Sequence, residues 1–392
     1  MSTRIPAHRP ALSIIPFLLL AANLRPALTS VGPLVGEIQS ATGLSGTAAG
    51  FLNSLPLLAF AAFAPLAHFG RRLGIERTLV VALLLLFVGV LVRSCGSIPA
   101  LFAGTLLLAA GIAVGNILVP GIVKRDYPER VKPLMTVYAV TLGLSAAIAS
   151  GLAVPFAAWI PGGWQGALGV WAIPALVAAL AWTPVALRNG KPMPHSRTVA
   201  TIPAWRSPLA WFVTGFMGLQ SLYFYVAIAW LPSIFQSNGH DPAEAGLLIT
   251  VFQLVALAMS AMLPLLLGRR KDQSFAAAIA SLAMAASVGG LLIFPAGAYF
   301  WMVLMGLGGG ACLPLALMFI SLRSADHHQT ASLSMMAQSI GYLLAALGPF
   351  AFGFIHDLSG SWTIPLAGLA VLGVILALVG YEAGRDKTIS AS

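Results

Sequence analysis

The sequence predicts an all-α polytopic membrane protein with twelve transmembrane helices in two six-helix bundles. Three observations lead to this fold. Of the 392 residues, 59% are hydrophobic and 8% are charged, whereas soluble globular proteins carry about 25% charged residues. Apolar runs long enough to cross a bilayer core of about 30 Å recur along the whole chain. The basic residues between these runs fall in alternate loops, as they do in helical membrane proteins.

The twelve spans are defined by apolar runs between charged and turn-forming residues. Their approximate bounds are 12–38, 47–67, 77–95, 100–123, 134–157, 167–187, 209–232, 244–267, 274–294, 298–322, 332–355 and 363–382. The polar segment 188–208 is rich in Pro, Arg, Ser and Thr, and we expect a flexible linker there. The predicted organisation is a first bundle (1–187), a linker (188–208) and a second bundle (209–392) around a central site.

The basic residues predict the orientation of the chain. Of the 21 Lys and Arg residues, all except Arg25 and Arg93 lie at the termini or in alternate loops. Because cytoplasmic loops carry the excess of Lys and Arg, both termini are predicted to be cytoplasmic, in an inner membrane. The same distribution accounts for the net charge of +10. It predicts contact with membrane lipids and not with nucleic acid.

Arg25 is the most informative residue, because it lies in the middle of the first span. A guanidinium stays charged at any physiological pH, and a charge at the bilayer centre costs about 2.5–3.5 kcal/mol on insertion scales. The central parts of the spans contain no Asp, Glu or Lys. Glu37 lies roughly twelve residues away, or about 18 Å along a straight helix, too far for an ion pair. Arg25 therefore predicts a wet central cavity and an anionic or strongly polarised solute.

Other polar residues deep in the spans are candidates for the same site. Amide side chains also bridge helices without contacting any ligand, so each of them has a structural alternative. The small residues on the face of Arg25, which include Thr29 and Gly32, leave room either for a ligand or for a closely packed helix. The predicted solute-binding residues are Arg25, Gln220, Asn116, Gln253, Tyr138, Gln338, Asn53, Tyr223 and Tyr225.

No enzymatic constellation is present in the sequence. There is no Ser-His-Asp grouping at membrane depth and no phosphate-binding loop followed by Lys. Cys95 and Cys312 lie far apart in apolar surroundings, and all seven histidines fall in loops or at span ends. The sequence therefore predicts neither an enzyme nor a metal site, and no cofactor.

Several motifs resemble the cyanate and 2-nitroimidazole transporter branch of the major facilitator superfamily. They are Asn23-Leu24-Arg25-Pro26-Ala27 in span one, Gly115-Asn116-Ile117-Leu118-Val119-Pro120 with Lys124-Arg125-Asp126-Tyr127-Pro128, and Gln220-Ser221-Leu222-Tyr223-Phe224-Tyr225 with Trp230-Leu231-Pro232. The resemblance covers nearly the whole chain. It implies the major facilitator fold, a bacterial inner-membrane secondary transporter and alternating access. It also implies that Arg25, Asn116 and Gln220 border the cavity.

The loop after span two departs from the general superfamily signature Gly-x-Leu-Ala-Asp-Arg-x-Gly-Arg-Arg. Here the chain reads Ala67-His68-Phe69-Gly70-Arg71-Arg72-Leu73-Gly74. Arg72 and Gly74 match the signature and are the predicted gating residues of this loop. Arg71 replaces the Asp to which the resemblance assigns an inter-bundle charge contact.

Three functions fit the sequence. The first is transport of a small anion, cyanate-like or a small organic acid, by a monomer, with uniport, proton symport and exchange all left open. The second is efflux of neutral aromatic or heterocyclic compounds such as nitroimidazoles, with Arg25 in a gating role. The third is a membrane sensor without transport, which the short loops disfavour because they hold no output domain.

Overall fold

The computed structural model describes residues 14–63, 74–189, 204–268, 270–324 and 327–389. Regular structure in these ranges is helical. The first half contains α1 (Ile14–Asn23), α2 (Pro26–Thr29), α3 (Val31–Thr42), α4 (Gly46–Phe63), α5 (Ile75–Arg93), α6 (Ile98–Asp126), α7 (Val131–Trp159), α8 (Trp164–Gly169) and α9 (Ala172–Asn189). The second half contains α10 (Pro208–Ser237), α11 (Pro242–Leu267), α12 (Ser274–Ile293), α13 (Ala298–Leu322), α14 (His327–Ser359) and α15 (Thr363–Gly384).

The predicted all-α membrane fold is confirmed. In the described ranges, ten helical segments are long and apolar enough to cross a membrane. Helices α1 to α3 form a further span with a bend of 43°. Helix α4 is a shorter apolar helix, and residues 64–67 of the predicted span 47–67 lie outside the described ranges. In order along the chain, these segments correspond to the twelve predicted spans.

Some predicted boundaries are wrong. The seventh span was expected to end at Pro232, but α10 continues through this proline to Ser237. Proline is tolerated inside transmembrane helices because neighbouring groups satisfy the backbone carbonyl that it leaves free. The eleventh span is likewise longer than predicted, since α14 runs from His327 to Ser359. Of the predicted linker 188–208, residues 190–203 lie outside the described ranges.

The first span was predicted to be continuous, and this is also wrong. Leu24 and Arg25 interrupt it, and α2 begins at Pro26. Proline has no N–H to donate and disfavours a helical conformation in the residue before it. The backbone of Arg25 accordingly has φ −121° and ψ −39°. The break places Arg25 at a junction between helices, near the middle of the span.

The main contacts between the two halves in the described ranges are those of α3 with α10, α4 with α14, and α7 with α11. The helices approach closely because small residues line the contacts. A Cβ on Gly32 would collide with the backbone carbonyl of Ile228, and one on Gly50 with that of Pro349. We call the side of the membrane on which the chain begins and ends the terminal side, and we call the other side of the membrane the opposite side. These contacts lie toward the opposite side, where the halves are closed against each other.

The outward faces of the helices are apolar. Large side chains such as Leu180, Leu265, Ile279 and Leu378 are exposed at the periphery. A soluble protein would not leave so many contiguous apolar side chains in water. Their positions are those that lipid covers in a multi-pass membrane protein.

Candidate functional site

Arg25 lies between the two halves, at the break in the first span. Its side chain is half-buried. Its Nη1 donates a hydrogen bond of 3.3 Å to Tyr225 Oη on α10, and its Cζ lies 5.7 Å from the centre of the Phe224 ring. A cation at this distance from an aromatic ring is attracted to the ring face. Both contacts come from the second half, whereas Arg25 belongs to the first half, so they connect the two halves across the interface.

Two further tyrosines lie within electrostatic range of Arg25. They are Tyr138 on α7 and Tyr342 on α14. The Tyr342 ring packs edge-on against Phe60 of α4, with ring centres 5.7 Å apart. Aromatic residues of helices α7, α10 and α14 therefore lie in the neighbourhood of the guanidinium. Among the described residues, no carboxylate forms an ion pair with Arg25.

Asn116 joins this group through Tyr138. The Tyr138 hydroxyl donates to Asn116 Oδ1 at 2.8 Å, and Asn116 is itself half-buried on α6. This hydrogen bond fixes where the Tyr138 hydroxyl points. The structure thus brings together Arg25, Tyr138, Asn116 and Tyr225 from the predicted site.

Gln253 lies at the contact between α7 and α11. Its Nε2 donates to Ser150 Oγ at 2.8 Å, and Ser150 donates in turn to the carbonyl of Thr29. These bonds link span one, α7 and α11 across the interface between the halves. Gln253 Oε1 is buried and has no hydrogen-bond partner among the described residues. The arrangement fits a helix-bridging amide, the structural alternative stated above.

Gln220 and Tyr223 are buried within the second half. Gln220 Nε2 donates to Ser221 Oγ at 2.7 Å and to the carbonyl of Met217, both on its own helix. The Tyr223 hydroxyl donates to the carbonyl of Leu369 on α15. The structure places neither side chain in contact with Arg25.

The remaining predicted residues lie at several depths. Gln338 is exposed on α14 toward the terminal side and donates to Ser334 Oγ at 2.9 Å. Asn53 donates to the carbonyl of Ala49 on its own helix. Gly74 precedes α5 with a φ of 91°, a value that favours glycine. Arg72 lies outside the described residues.

Ion pairs within the first half lie on the terminal side. Arg125 Nη2 is 2.6 Å from Glu76 Oε1, and Arg125 Nε is 2.6 Å from Asp126 Oδ1. Glu76 is buried at the start of α5. The Arg125–Glu76 pair joins α6 to α5, whereas Asp126 pairs with its neighbour on α6.

The sequence interpretation passed over Arg93. It is fully buried at the end of α5, and its Nη1 donates to the carbonyl of Ala27 at 2.5 Å. The sequence places Arg93 inside a span, and no role was predicted for it. The available signal was a second basic residue inside a span.

The family can now be stated. The profile of the Major Facilitator Superfamily matches residues 17–349, which is most of the chain. The chain belongs to the Major Facilitator Superfamily. The predicted family resemblance is therefore confirmed, and the protein is a multi-pass membrane transporter of a small solute and not an enzyme.

Relatives within the Major Facilitator Superfamily cover the full length of the chain. It is 44% identical over 391 residues to the 2-nitroimidazole transporter of Escherichia coli (strain K12), covering 99% of each chain. It is 27% identical over 381 residues to the cyanate transport protein CynX of the same organism, covering 95% of this chain and 97% of that one. A solved bacterial homolog of the human lysosomal transporter Spinster has a TM-score of 0.80 at 14% identity, covering 96% and 98%. This last likeness shows the fold.

Proposed function

We propose that this transporter moves a small anionic solute, cyanate-like or a small organic acid, across the inner membrane by alternating access. Arg25 binds the negative charge. Tyr225, Tyr138 and Asn116 supply neutral hydrogen bonds around it. The two halves rock about this site, which opens to each side of the membrane in turn.

The position of Arg25 is the observation that carries the proposal. Its guanidinium has several N–H donors, and the hydrogen bond to the protein goes to a neutral hydroxyl, Tyr225 Oη. A planar guanidinium with donors to spare binds carboxylates and similar anions in a bidentate manner. Because Arg25 also contacts residues of the opposing half, relative movement of the halves changes its surroundings.

The charge distribution supports the direction of opening. Basic residues lie in the loops on the terminal side, so both termini are cytoplasmic by the positive-inside rule. In this orientation the closed opposite side faces outward, and we expect the central site to open toward the cytoplasm. We also propose a monomer, because a single chain supplies every group around Arg25.

Transport by purified protein in proteoliposomes tests the role of Arg25. Loss of two charge-assisted hydrogen bonds lowers the apparent affinity for the anion by about 100-fold or more in Arg25→Ala. Arg25→Lys keeps the charge but loses the planar donor pair, so we expect it to be impaired as well. Arg385→Ala is the matched control, because Arg385 is only half-buried and contacts Glu382. Folded Arg25→Ala protein that transports anions at the normal rate would refute the proposal.

Efflux of neutral aromatic or heterocyclic compounds is the second candidate. The aromatic residues around Arg25 favour it, and a relative with 44% identity is named a 2-nitroimidazole transporter. In this case Phe224 and the three tyrosines stack on the solute, and Arg25 serves gating. Charged and uncharged analogues offered to proteoliposomes at constant pH separate the two candidates. Preference for the uncharged analogue supports efflux of neutral compounds.

A further inference from the structure

Arg93 is a second arginine buried inside the membrane. Its side chain is about 1% exposed, and Nη1 donates to the carbonyl of Ala27 in α2. Nε and Nη2 are buried and have no hydrogen-bond partner among the described residues. No carboxylate of the described ranges forms an ion pair with it. A buried charge of this kind is costly unless something compensates it.

Arg93 borders a small cavity between the first half and α10. The cavity has a volume of about 20 Å³, and its polar lining consists of Arg93, Asn53, Thr105 and Tyr225. The rest of the wall is apolar and comes from span one, α4 and α10. A single water molecule needs a cavity volume of roughly 10–15 Å³, so this cavity has room for one water molecule or one ion of similar size.

The polar lining is rich in hydrogen-bond donors. Tyr225 Oη accepts a hydrogen bond from Arg25, which leaves its own proton to donate. Asn53 Nδ2 uses one N–H for Ala49 and retains a second. The Thr105 hydroxyl donates to Leu101 within α6. Tyr225 and Asn53 therefore supply free donors, Arg93 supplies a positive charge, and the residues that line the cavity include no carboxylate.

We propose that this cavity binds one small inorganic monovalent anion such as chloride. An anion neutralises the buried guanidinium and accepts from the available donors, whereas a water molecule satisfies hydrogen bonds without compensating the charge. The size of the cavity selects a monatomic ion over the larger solute held at Arg25. Tyr225 borders both arginines and separates the two sites. The inference does not depend on the proposed transport of anions.

Thermal unfolding of the purified protein in sodium bromide, against sodium gluconate at equal ionic strength, measures this binding, since a ligand of the folded state raises its stability. We expect bromide to stabilise the wild type. Arg93→Gln loses charge-assisted bonds and should weaken the apparent bromide affinity by about tenfold or more. Thr105→Val is the matched control. Thr105 lines the same cavity but donates its proton to Leu101, so this variant should keep the bromide response.

Two results would overturn the assignment. One is a bromide response that is the same in Arg93→Gln as in the wild type, and the other is a wild type without any response. If Arg93→Gln does not fold, bromide-soaked crystals of the wild type decide the question by anomalous diffraction. We expect a peak between Arg93 and Tyr225, and the absence of a peak there contradicts the proposal. Failure of the transport assay with Arg25 variants leaves all these outcomes unaffected.

Discussion

Asp357 binds Thr47 across the two halves, at the opposite side of the membrane. Its Oδ2 accepts from the Thr47 backbone N–H at 2.7 Å and from the Thr47 hydroxyl at 2.6 Å, while Oδ1 accepts from the N–H of Gly46 at 3.1 Å. The carboxylate at the end of α14 therefore caps the first turn of α4. A carboxylate in this position satisfies free N–H groups and interacts favourably with the helix dipole.

Removing this cap should open the opposite side. Loss of an N-cap costs about 0.5–2 kcal/mol, and here the cost falls on the closed state. We expect Asp357→Ala to shift the ratio of open to closed molecules by a factor of about 2–30. Asp357→Asn should shift it less, because Asn is also a good N-cap.

Distances between spin labels at Ser40 and Thr363, in protein without Cys95 and Cys312, measure this shift by double electron–electron resonance. A longer distance population should grow in the order wild type, Asp357→Asn, Asp357→Ala. Identical distance distributions in all three proteins would show that the cap does not hold the halves together.

Gly32 provides a second, independent test of the closed contact. A Cβ at this position would collide with the backbone carbonyl of Ile228 in α10. Overpacking of this kind costs about 1–3 kcal/mol, so Gly32→Ala should favour the state open on the opposite side. Gly36→Ala on the same helix is the matched control, because its Cβ would lie 3.6 Å from Gln236 Oε1, an ordinary contact. The same label pair reports the result, and equal behaviour of both variants contradicts the prediction.

Tyr223 and Tyr225 were predicted from one motif, but the structure separates their roles. Tyr225→Phe removes the hydrogen bond to Arg25 and should weaken the apparent affinity for the transported anion by about tenfold. Tyr223→Phe removes a bond to the carbonyl of Leu369 and should lower the stability by about 1 kcal/mol. Transport kinetics and thermal unfolding of both variants check this division. A larger loss of affinity in Tyr223→Phe than in Tyr225→Phe would reverse it.

The sequence specified the spans well because their signal is local. Apolar runs and basic loops need no knowledge of packing, and the cost of a charge at mid-membrane marked Arg25. Pro26 also carried the information for the break at Arg25, but the length of the apolar run favoured one continuous helix.

The sequence does not predict the directions in which the other polar side chains point. Lipid and protein interior are equally apolar, so periodicity does not distinguish the face of a membrane helix that lines a cavity. Gln220 accordingly forms bonds along its own helix, and Gln253 bridges α7 and α11. Tyr342 near Arg25 and the buried position of Arg93 depend on contacts between distant spans, which helix packing alone decides.

Arg323, which is buried as completely as Arg93, should prove structural and not functional. It directly follows α13. Its Nε donates to the carbonyl of Ala383 at 3.1 Å, and its Nη2 donates to the carbonyl of Gly384 at 2.8 Å and to Gln273 Oε1 at 2.6 Å. Arg323→Gln leaves several buried acceptors unpaired, and we expect a loss of about 3 kcal/mol of stability. Because these contacts lie within the second half, at the terminal-side ends of α13 and α15, the affinity of the remaining folded protein for its solute should not change.

Arg385→Gln is the matched control for Arg323. Arg385 is half-buried and pairs with Glu382, and a solvent-accessible pair of this kind contributes about 1 kcal/mol or less. Thermal unfolding should therefore separate the two variants clearly, while the KM for transport stays the same in both. A raised KM in Arg323→Gln at unchanged stability would instead place Arg323 in the transport cycle, since only a group that interacts differently with the solute-bound state alters affinity without altering the fold.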